Sequence, residues 1–207
     1  MNVSRKFPHS RLRRNRFTSS IRNLVAENNL TVNDLIQPIF IKEGLDGFEA
    51  INSLPGINRY GLNALDSELE RIQNNKINAV AVFPVIDPKK KDDKGTESLN
   101  EDNLVCKAIK QIKNNSDLTV IADVALDPYT SHGHDGLLDE SGYVDNDSSL
   151  ASLTGQAMTL AKAGADMVAP SDMMDGRIAS IRSALEENAF VNTIILSYAA
   201  KYSSKFY

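Results

Sequence analysis

The sequence predicts an α/β protein built around a parallel β-sheet. Five short apolar runs rich in Val and Ile alternate with amphipathic stretches of helical period. Uniformly apolar runs are typical of strands that are buried on both faces, as the strands of a parallel sheet are. Because strands that alternate with helices are joined by right-handed crossovers, the pattern indicates a βαβαβαβαβ order.

The predicted elements follow one another along the chain. The strands are LIQPIFI at 35–41, AVAVFPV at 79–85, LTVIADVA at 118–125, ADMVAP at 165–170 and TIILSYA at 193–199. The apolar stripes of the four intervening helices are Leu65, Leu69 and Ile72, then Leu104, Ala108, Ile109 and Ile112, then Ala157, Leu160 and Ala161, and finally Ile178, Ile181 and Leu185. Ser148 or Ser149 is the predicted N-cap of the third helix, and Gly164 suits its carboxyl end.

Two architectures accommodate this order, a doubly wound open sheet and part of an eight-stranded barrel. A doubly wound dinucleotide binder carries a Gly-rich fingerprint after its first strand, and the stretch KEGLDGFEA lacks it. The loops that follow the second and third strands are long, at the strand ends where both folds keep their chemistry. The missing fingerprint favours the barrel, and the open sheet remains an alternative.

The charge is distributed unevenly along the chain. Residues 1–26 carry seven Lys or Arg and no acid, whereas the whole chain has a net charge of −4. Such a basic arm can bind nucleic acid, act as a targeting peptide or dock on an acidic protein surface. No nucleic-acid-binding module follows it, so we expect docking on another subunit and no nucleic-acid partner.

Composition also bounds the location of the protein. Cys106 is the only cysteine, which excludes an internal disulfide and a thiolate-rich structural zinc site. No apolar run approaches the roughly 18 residues of a membrane span. We therefore expect a cytoplasmic protein with no membrane partner, and a plastid location stays open.

The loop DVALDPYTSHGHDG, at 123–136, concentrates groups that can ligate metals. His132 and His134 lie two residues apart, among Asp123, Asp127 and Asp135. Carboxylates and imidazoles bind hard and borderline cations, which indicates a metal site. Gly, Pro and Asp also make turns, so a polar loop without a metal explains the same residues.

Lys201 follows directly on the fifth predicted strand, at the end where such folds place catalytic groups. A lysine in a partly apolar pocket loses its proton more readily, and its amine can then form a Schiff base with a ketone. An ordinary surface lysine is the alternative. Ser171, Asp172 and Asp175 follow the fourth strand at the same edge, where Ser171 or Asp175 could instead cap the next helix.

Several stretches together resemble one family. DVALDPYTSHGHDG, VDND, APSDMMDGR and LSYAAKYSSKFY resemble 5-aminolevulinate dehydratase, also called porphobilinogen synthase, in the same order and at compatible spacing. RLRRN, LIQPIFI and SLPGI match as well, so the resemblance runs from about Arg11 to the last residue.

The resemblance implies a TIM (β/α)8 barrel with an N-terminal arm, of which this chain holds about five βα units. Residues 1–30 would form the arm and residues 31–207 the N-terminal part of the barrel. The implied enzyme is a lyase of tetrapyrrole and haem biosynthesis that condenses two molecules of 5-aminolevulinate to porphobilinogen. The resemblance also implies two Schiff-base lysines, of which Lys201 matches the first, and a homo-octamer assembled through the arm.

The resemblance also assigns substrate and metal roles. Zinc-dependent members carry three cysteines where this chain has Ala125, Asp127 and Asp135, so no active-site zinc is expected. The implied type is aspartate-rich and magnesium-responsive, with allosteric magnesium whose main ligand lies outside this chain and Asp175 as a weak neighbour of that site. Asp123, Asp127, Asp135 and Ser171 are the implied substrate-binding residues. For His132 and His134 we expect loop packing.

The chain departs from the family in length, because a barrel needs eight strands and about 250 residues. The second lysine and the groups that bind the substrate carboxylate would follow Tyr207, so we expect an incomplete and inactive fragment. Two alternatives remain open: another class I Schiff-base aldolase-type barrel, and a non-catalytic fragment that only docks on other subunits.

Overall fold

The computed structural model describes residues 5–202, and the last five residues of the stretch LSYAAKYSSKFY lie outside them. The chain divides into two compact units, Met1–Asp34 and Leu35–Tyr207. In the first unit, a 3-10 helix at Leu12–Arg16 precedes α1, Ser19–Leu24. The Thr18 hydroxyl caps α1 by accepting a hydrogen bond from the N–H of Ile21 at 3.2 Å. No described residue of this unit is buried.

The second unit contains nine strands and four helices among its described residues. In chain order they are β1 Ile36–Lys42, β2 Phe48–Ala50, β3 Asn58–Tyr60, α2 Leu62–Asn74, β4 Ala79–Val85, α3 Leu104–Asn115, β5 Thr119–Val124, β6 Leu137–Leu138, β7 Val144–Asp145, α4 Asn146–Ala163, β8 Met167–Pro170, α5 Arg177–Glu187 and β9 Ile194–Ile195. Short 3-10 helices lie at Pro88–Lys90 and Thr96–Leu99.

The strands form one main sheet with the order β2-β3-β1-β4-β5-β8-β9, and β6 and β7 pair in a separate antiparallel hairpin. From β3 to β9 all neighbours are parallel, whereas β2 is antiparallel to β3. The predicted parallel α/β class is confirmed. The five predicted strands follow chain order across the sheet without the reversal that defines a doubly wound fold, which favours the barrel interpretation.

The helices bury the predicted stripes against the sheet. All predicted positions of α2, α3 and α4 are buried, as are Ile181 and Leu185 of α5. Ile178 is the exception, with 36% of its surface exposed, because it lies in the first turn of α5. The strands contribute the facing layer, with residues such as Val82 and Ala122 fully buried and paired in register.

The structure corrects the start of α4 and the length of the fifth strand, and it adds short strands. Neither Ser148 nor Ser149 caps α4, since the Asp145 carboxylate accepts from the N–H groups of Asp147 and Ser148 at 3.3 and 3.4 Å. The fifth strand is reduced to Ile194–Ile195, and β2 and β3 were not predicted.

The ends of α4 and α5 are set by glycine. Gly164 ends α4 in a left-handed conformation with φ 105°, as predicted. Gly176, with φ 81°, is the N-cap of α5, so the proposed caps Ser171 and Asp175 are both wrong. Within residues 5–202, the structure contains no helix that is long and apolar enough to cross a membrane.

Leu160 gives a direct test of this core. Its side chain is fully buried on α4, so Leu160→Ala is expected to lower the free energy of unfolding by about 2–5 kcal/mol, because it leaves a cavity between α4 and the sheet. Urea unfolding followed by circular dichroism measures the change. The matched control is Leu54→Ala, a loop position with 38% of its surface exposed, for which we expect about 0.5 kcal/mol. Equal losses for the two variants would contradict this packing.

Candidate functional site

The candidate site lies at the carboxyl end of the parallel strands. Asp123 is the penultimate residue of β5, Ser171 follows β8 directly, and Lys201 comes after β9. The Ser171 N–H donates to the carbonyl of Val124 at 3.2 Å, which continues the pairing of β5 and β8 past the end of the strands. The Nζ of Lys201 donates to the carbonyl oxygen of Ser171 at 2.7 Å. The structure therefore joins three residues that lie far apart in the sequence.

Asp123 is the most strongly perturbed carboxyl group of the site. Its Oδ1 is buried and has no hydrogen-bond partner among the described residues. The pKa of Asp123 is raised from 3.8 to about 7, mainly by burial and then by the negative charges of Asp135 and Asp127. The Ser171 hydroxyl and the Lys201 ammonium act in the opposite direction. A carboxyl group with a pKa near neutrality is suited to exchange protons in catalysis.

Asp127 and Asp135 extend this cluster towards solvent. Asp135 is half-buried, and its Oδ1 accepts from the N–H of Leu126 at 2.7 Å. Burial raises its pKa, whereas this hydrogen bond and the charge of Lys201 lower it. Asp127 is exposed at the rim of the site. Partial desolvation by the surrounding protein, and then the charge of Asp135, raise its pKa. The carboxylates interact electrostatically with Lys201 and with one another, so the pKa of each depends on the charges of the others.

The structure adds a buried ion pair that the sequence interpretation did not identify. Asp172 is 1% exposed, and its Oδ1 lies 3.3 Å from Nε of Arg177 and accepts from the N–H of Met174 at 2.8 Å. Arg177 also donates to the Met174 carbonyl at 3.0 Å. Burial raises the pKa of Asp172 and Arg177 lowers it. A sequence signal for this ion pair was present in APSDMMDGR, which contains an acid and an arginine on either side of a turn.

Asp175 and the two histidines are placed outside this carboxylate cluster. Asp175 is exposed, and its N–H donates to Oδ1 of Asn146 at 2.7 Å at the start of α4. His132 accepts from the N–H of His134 at Nδ1 (3.1 Å), and its Nε2 lies 3.2 Å from the carbonyl oxygen of Asp93. Both ring nitrogens of His132 thus contact backbone groups, as expected for loop packing.

The donor groups of the loop do not converge on a metal site. Among residues 5–202 no three His, Cys, Asp or Glu side chains are arranged to hold a metal ion. Asp127 and Asp135 provide hard carboxylate oxygens, a donor set that suits harder cations than zinc. Cys106 is fully buried on α3, and burial raises its pKa to about 11, which makes it a poor thiolate ligand.

The fold and the site define an α/β protein that places a lysine amine beside buried carboxyl groups at the carboxyl edge of a parallel sheet. The family model described as delta-aminolevulinic acid dehydratase matches residues 9–207. The chain belongs to the delta-aminolevulinic acid dehydratase family.

Curated relatives agree with this assignment. Delta-aminolevulinic acid dehydratase of Methanothermus sociabilis is 46% identical over 98% of this chain and 62% of its own length. The protein of the same name from Chlamydia pneumoniae is 48% identical over 95% of this chain and 59% of its own. The chloroplastic protein of Selaginella martensii is 43% identical over 96% and 48%. The chain thus spans about half to three fifths of the length of these relatives.

A solved structure agrees as well. The crystal structure of delta-aminolevulinic acid dehydratase from Toxoplasma gondii, in complex with the reaction product porphobilinogen, matches with a TM-score of 0.90 at 43% identity. The match covers 95% of this chain and 56% of that chain.

The perturbed carboxyl group of Asp123 predicts a pH-dependent stability. Between pH 3.8 and about 7, the folded protein keeps a proton on Asp123 that the unfolded chain has lost. The contribution of this group to stability therefore falls as the pH rises through that window. Asp123→Asn cannot lose the proton, so its free energy of unfolding should increase relative to that of the unsubstituted protein from pH 4 to pH 7. Urea unfolding at several pH values measures the difference.

Asp139 provides a control of opposite sign. Hydrogen bonds from Ser141 and Tyr143 hold the pKa of Asp139 below its usual value of 3.8. Its stabilising contribution is present above pH 3.8 and is lost as the pH falls below that value, so the relative stability of Asp139→Asn should fall as the pH rises towards 3.8 and stay level from pH 4 to pH 7. A difference for Asp123→Asn that stays constant from pH 4 to pH 7 would contradict the burial of an ionisable carboxyl group.

Proposed function

We propose that the protein functions as a delta-aminolevulinic acid dehydratase that condenses two molecules of 5-aminolevulinate to porphobilinogen with loss of two water molecules. The observation that carries this proposal is the position of Lys201, whose Nζ donates a hydrogen bond to the Ser171 carbonyl at 2.7 Å. Lys201 is also close enough to Asp123 to lower the pKa of that carboxyl group. Support also comes from the Toxoplasma gondii relative, which was solved with porphobilinogen.

Lys201 is the proposed nucleophile. Its unprotonated amine attacks the ketone carbon of 5-aminolevulinate, and loss of water from the adduct gives an imine. The imine withdraws electrons, which acidifies the neighbouring carbon for carbon–carbon bond formation. The carbonyl of Ser171 orients Nζ through the hydrogen bond between them.

The carboxyl groups have complementary roles. Asp123, with a pKa of about 7, is populated in both protonation states near neutral pH, so it can donate the proton that leaves with water and take one back. Asp127 and Asp135 attract the ammonium group of the substrate to the mouth of the site. The Ser171 hydroxyl completes the substrate-binding set beside Asp123.

The N-terminal unit supports a proposal on assembly. Its aromatic residues Phe7 and Phe17 and its Leu12 are at least 75% exposed, and Arg11 stacks on the Phe7 ring at 4.3 Å. An exposed segment that combines apolar and basic side chains is suited to an acidic surface of a second subunit. We propose a homo-oligomer, an octamer by analogy with the family. Relatives named chloroplastic leave both cytoplasm and plastid as proposed locations.

The lysine proposal is tested by chemical trapping. Incubation of the protein with 5-aminolevulinate and borohydride should reduce the imine and label Lys201, which peptide mass spectrometry identifies. Lys201→Ala should abolish this label. The matched control is Lys162→Ala, which removes an exposed lysine paired with Glu101 at 2.7 Å and should leave the label unchanged. Labelling of a folded Lys201→Ala protein at the same level would overturn the proposal.

The metal proposal concerns the aligned positions Ala125, Asp127 and Asp135. Without thiolates, removal of zinc should leave the activity of the full-length protein intact, and magnesium should raise that activity through an allosteric site near Asp175. Exchange of Ala125, Asp127 and Asp135 together for Cys should create a site for about one zinc ion per chain, because three thiolates and a water complete a tetrahedron. Cobalt substitution followed by absorption spectroscopy measures binding independently of activity.

The double variant with Cys at 125 and 127 is the control, and it should bind zinc more weakly because one thiolate is missing. Loss of activity of the unsubstituted, full-length protein on zinc removal, with recovery only on zinc addition, would contradict this interpretation of the loop. His132 and His134 would then be the first ligands to test.

A further inference from the structure

One peptide group behind the candidate site is held at both of its polar ends. The carbonyl oxygen of Ala125 accepts a hydrogen bond from Nε2 of Gln156 on α4 at 3.0 Å. The N–H of the same peptide group, on Leu126, donates to Oδ1 of Asp135 at 2.7 Å. The amide of Gln156 and the carboxylate of Asp135 are therefore linked through a single planar unit.

Gln156 occupies a position where a polar side chain is unfavourable without a specific partner. It is 1% exposed, and its helical neighbours Leu153, Ala157 and Leu160 are fully buried. An amide transferred from water to such surroundings loses stability unless it is hydrogen-bonded. An apolar residue of similar length would fill the same space. The feature that distinguishes Gln156 is its N–H donor, which is directed at the Ala125 carbonyl.

The planarity of the peptide group converts this contact into control of Asp135. Because the C=O and N–H of one peptide lie in one plane, fixing the direction of the Ala125 carbonyl also fixes the direction of the Leu126 N–H. A hydrogen bond to the carbonyl also polarises the group and strengthens its N–H as a donor. Both effects favour a single, ionised orientation of the Asp135 carboxylate.

We propose that Gln156 is a positioning residue that orients the Asp135 carboxylate through the peptide group between Ala125 and Leu126. The substrate-binding part of this inference rests on the proposed function, since Asp135 is the group that meets the substrate ammonium. The physical link does not depend on that function. Gln156 touches no reacting group, and it acts from α4 on the loop that carries Asp135.

The link can be measured in the unsubstituted chain by NMR. Protonation of Asp135 weakens its bond with the Leu126 N–H, and the change should pass through the peptide to the side-chain amide of Gln156. The chemical shift of the Asp135 carboxyl carbon gives the midpoint of its titration, and Asp135→Asn assigns that signal. The Gln156 side-chain amide signals should shift with pH at the same midpoint. Gln156 signals that do not follow this midpoint would overturn the proposal, and this measurement needs no folded Gln156 variant.

A variant tests the direction of the effect. Gln156→Met keeps length and removes the donor, so the ionised Asp135 loses part of its stabilisation and its pKa should rise by about half a pH unit. The control is Gln111→Met, which removes a glutamine-to-carbonyl hydrogen bond of 3.0 Å to Leu62, and with it a hydrogen bond of 2.8 Å to the Asp66 carboxylate, between α3 and α2. Both variants should lower the melting temperature, but only Gln156→Met should move the titration of Asp135.

An unchanged Asp135 pKa in folded Gln156→Met would reduce Gln156 to a packing residue and overturn the proposal. The result is separable from the proposed function. Absence of a trapped imine on Lys201 would remove the dehydratase proposal and leave this link intact. A missing link would leave the assignment of Lys201 untouched.

Discussion

The site depends on one geometric constraint, which is that parallel strands direct all their carboxyl ends to the same edge of the sheet. The backbone hydrogen bonds that continue past β8, from Ser171 to Val124 and from Tyr198 to Pro170, extend this alignment beyond the strands. Lys201 reaches the Ser171 carbonyl only because β9 is paired in parallel with β8. Groups that are distant in the chain therefore meet at one edge because of the strand pairing.

The second physical theme is the compensation of buried charge. Asp123, Asp135 and Asp172 are partly or fully buried, and burial raises the pKa of each. Lys201 and Arg177 oppose that effect, and backbone N–H groups supply hydrogen bonds to Asp135 and Asp172. Oδ1 of Asp123 and Oδ2 of Asp172 have no hydrogen-bond partner among residues 5–202. For Asp123, burial outweighs the opposing effects of the Ser171 hydroxyl and Lys201, and its pKa rises to about 7.

Periodicity predicted the parts of the fold that the hydrophobic effect decides. Leu65, Ala108 and Leu160 are buried because each lies on the apolar face of an amphipathic helix. The spacing of apolar residues in the sequence identifies that face. Boundaries were predicted less well, because side chains compete for the same N–H groups. Asp145 caps α4 in place of Ser148, since the hairpin of β6 and β7 ends at that residue. The short strands β2 and β3 lack the long apolar runs that mark the others.

The same distinction holds for the site. Lys201, Asp123 and Ser171 could be predicted because their types and strand-end positions are visible in the sequence. The contributions of Arg177 and Gln156 could not, since they depend on which carboxylate or carbonyl lies opposite in three dimensions. In the sequence Gln156 is only a polar interruption of a helix, and the fold alone shows the Ala125 carbonyl against it. Sequence patterns therefore identify candidate chemical groups more readily than the groups that hold them in place.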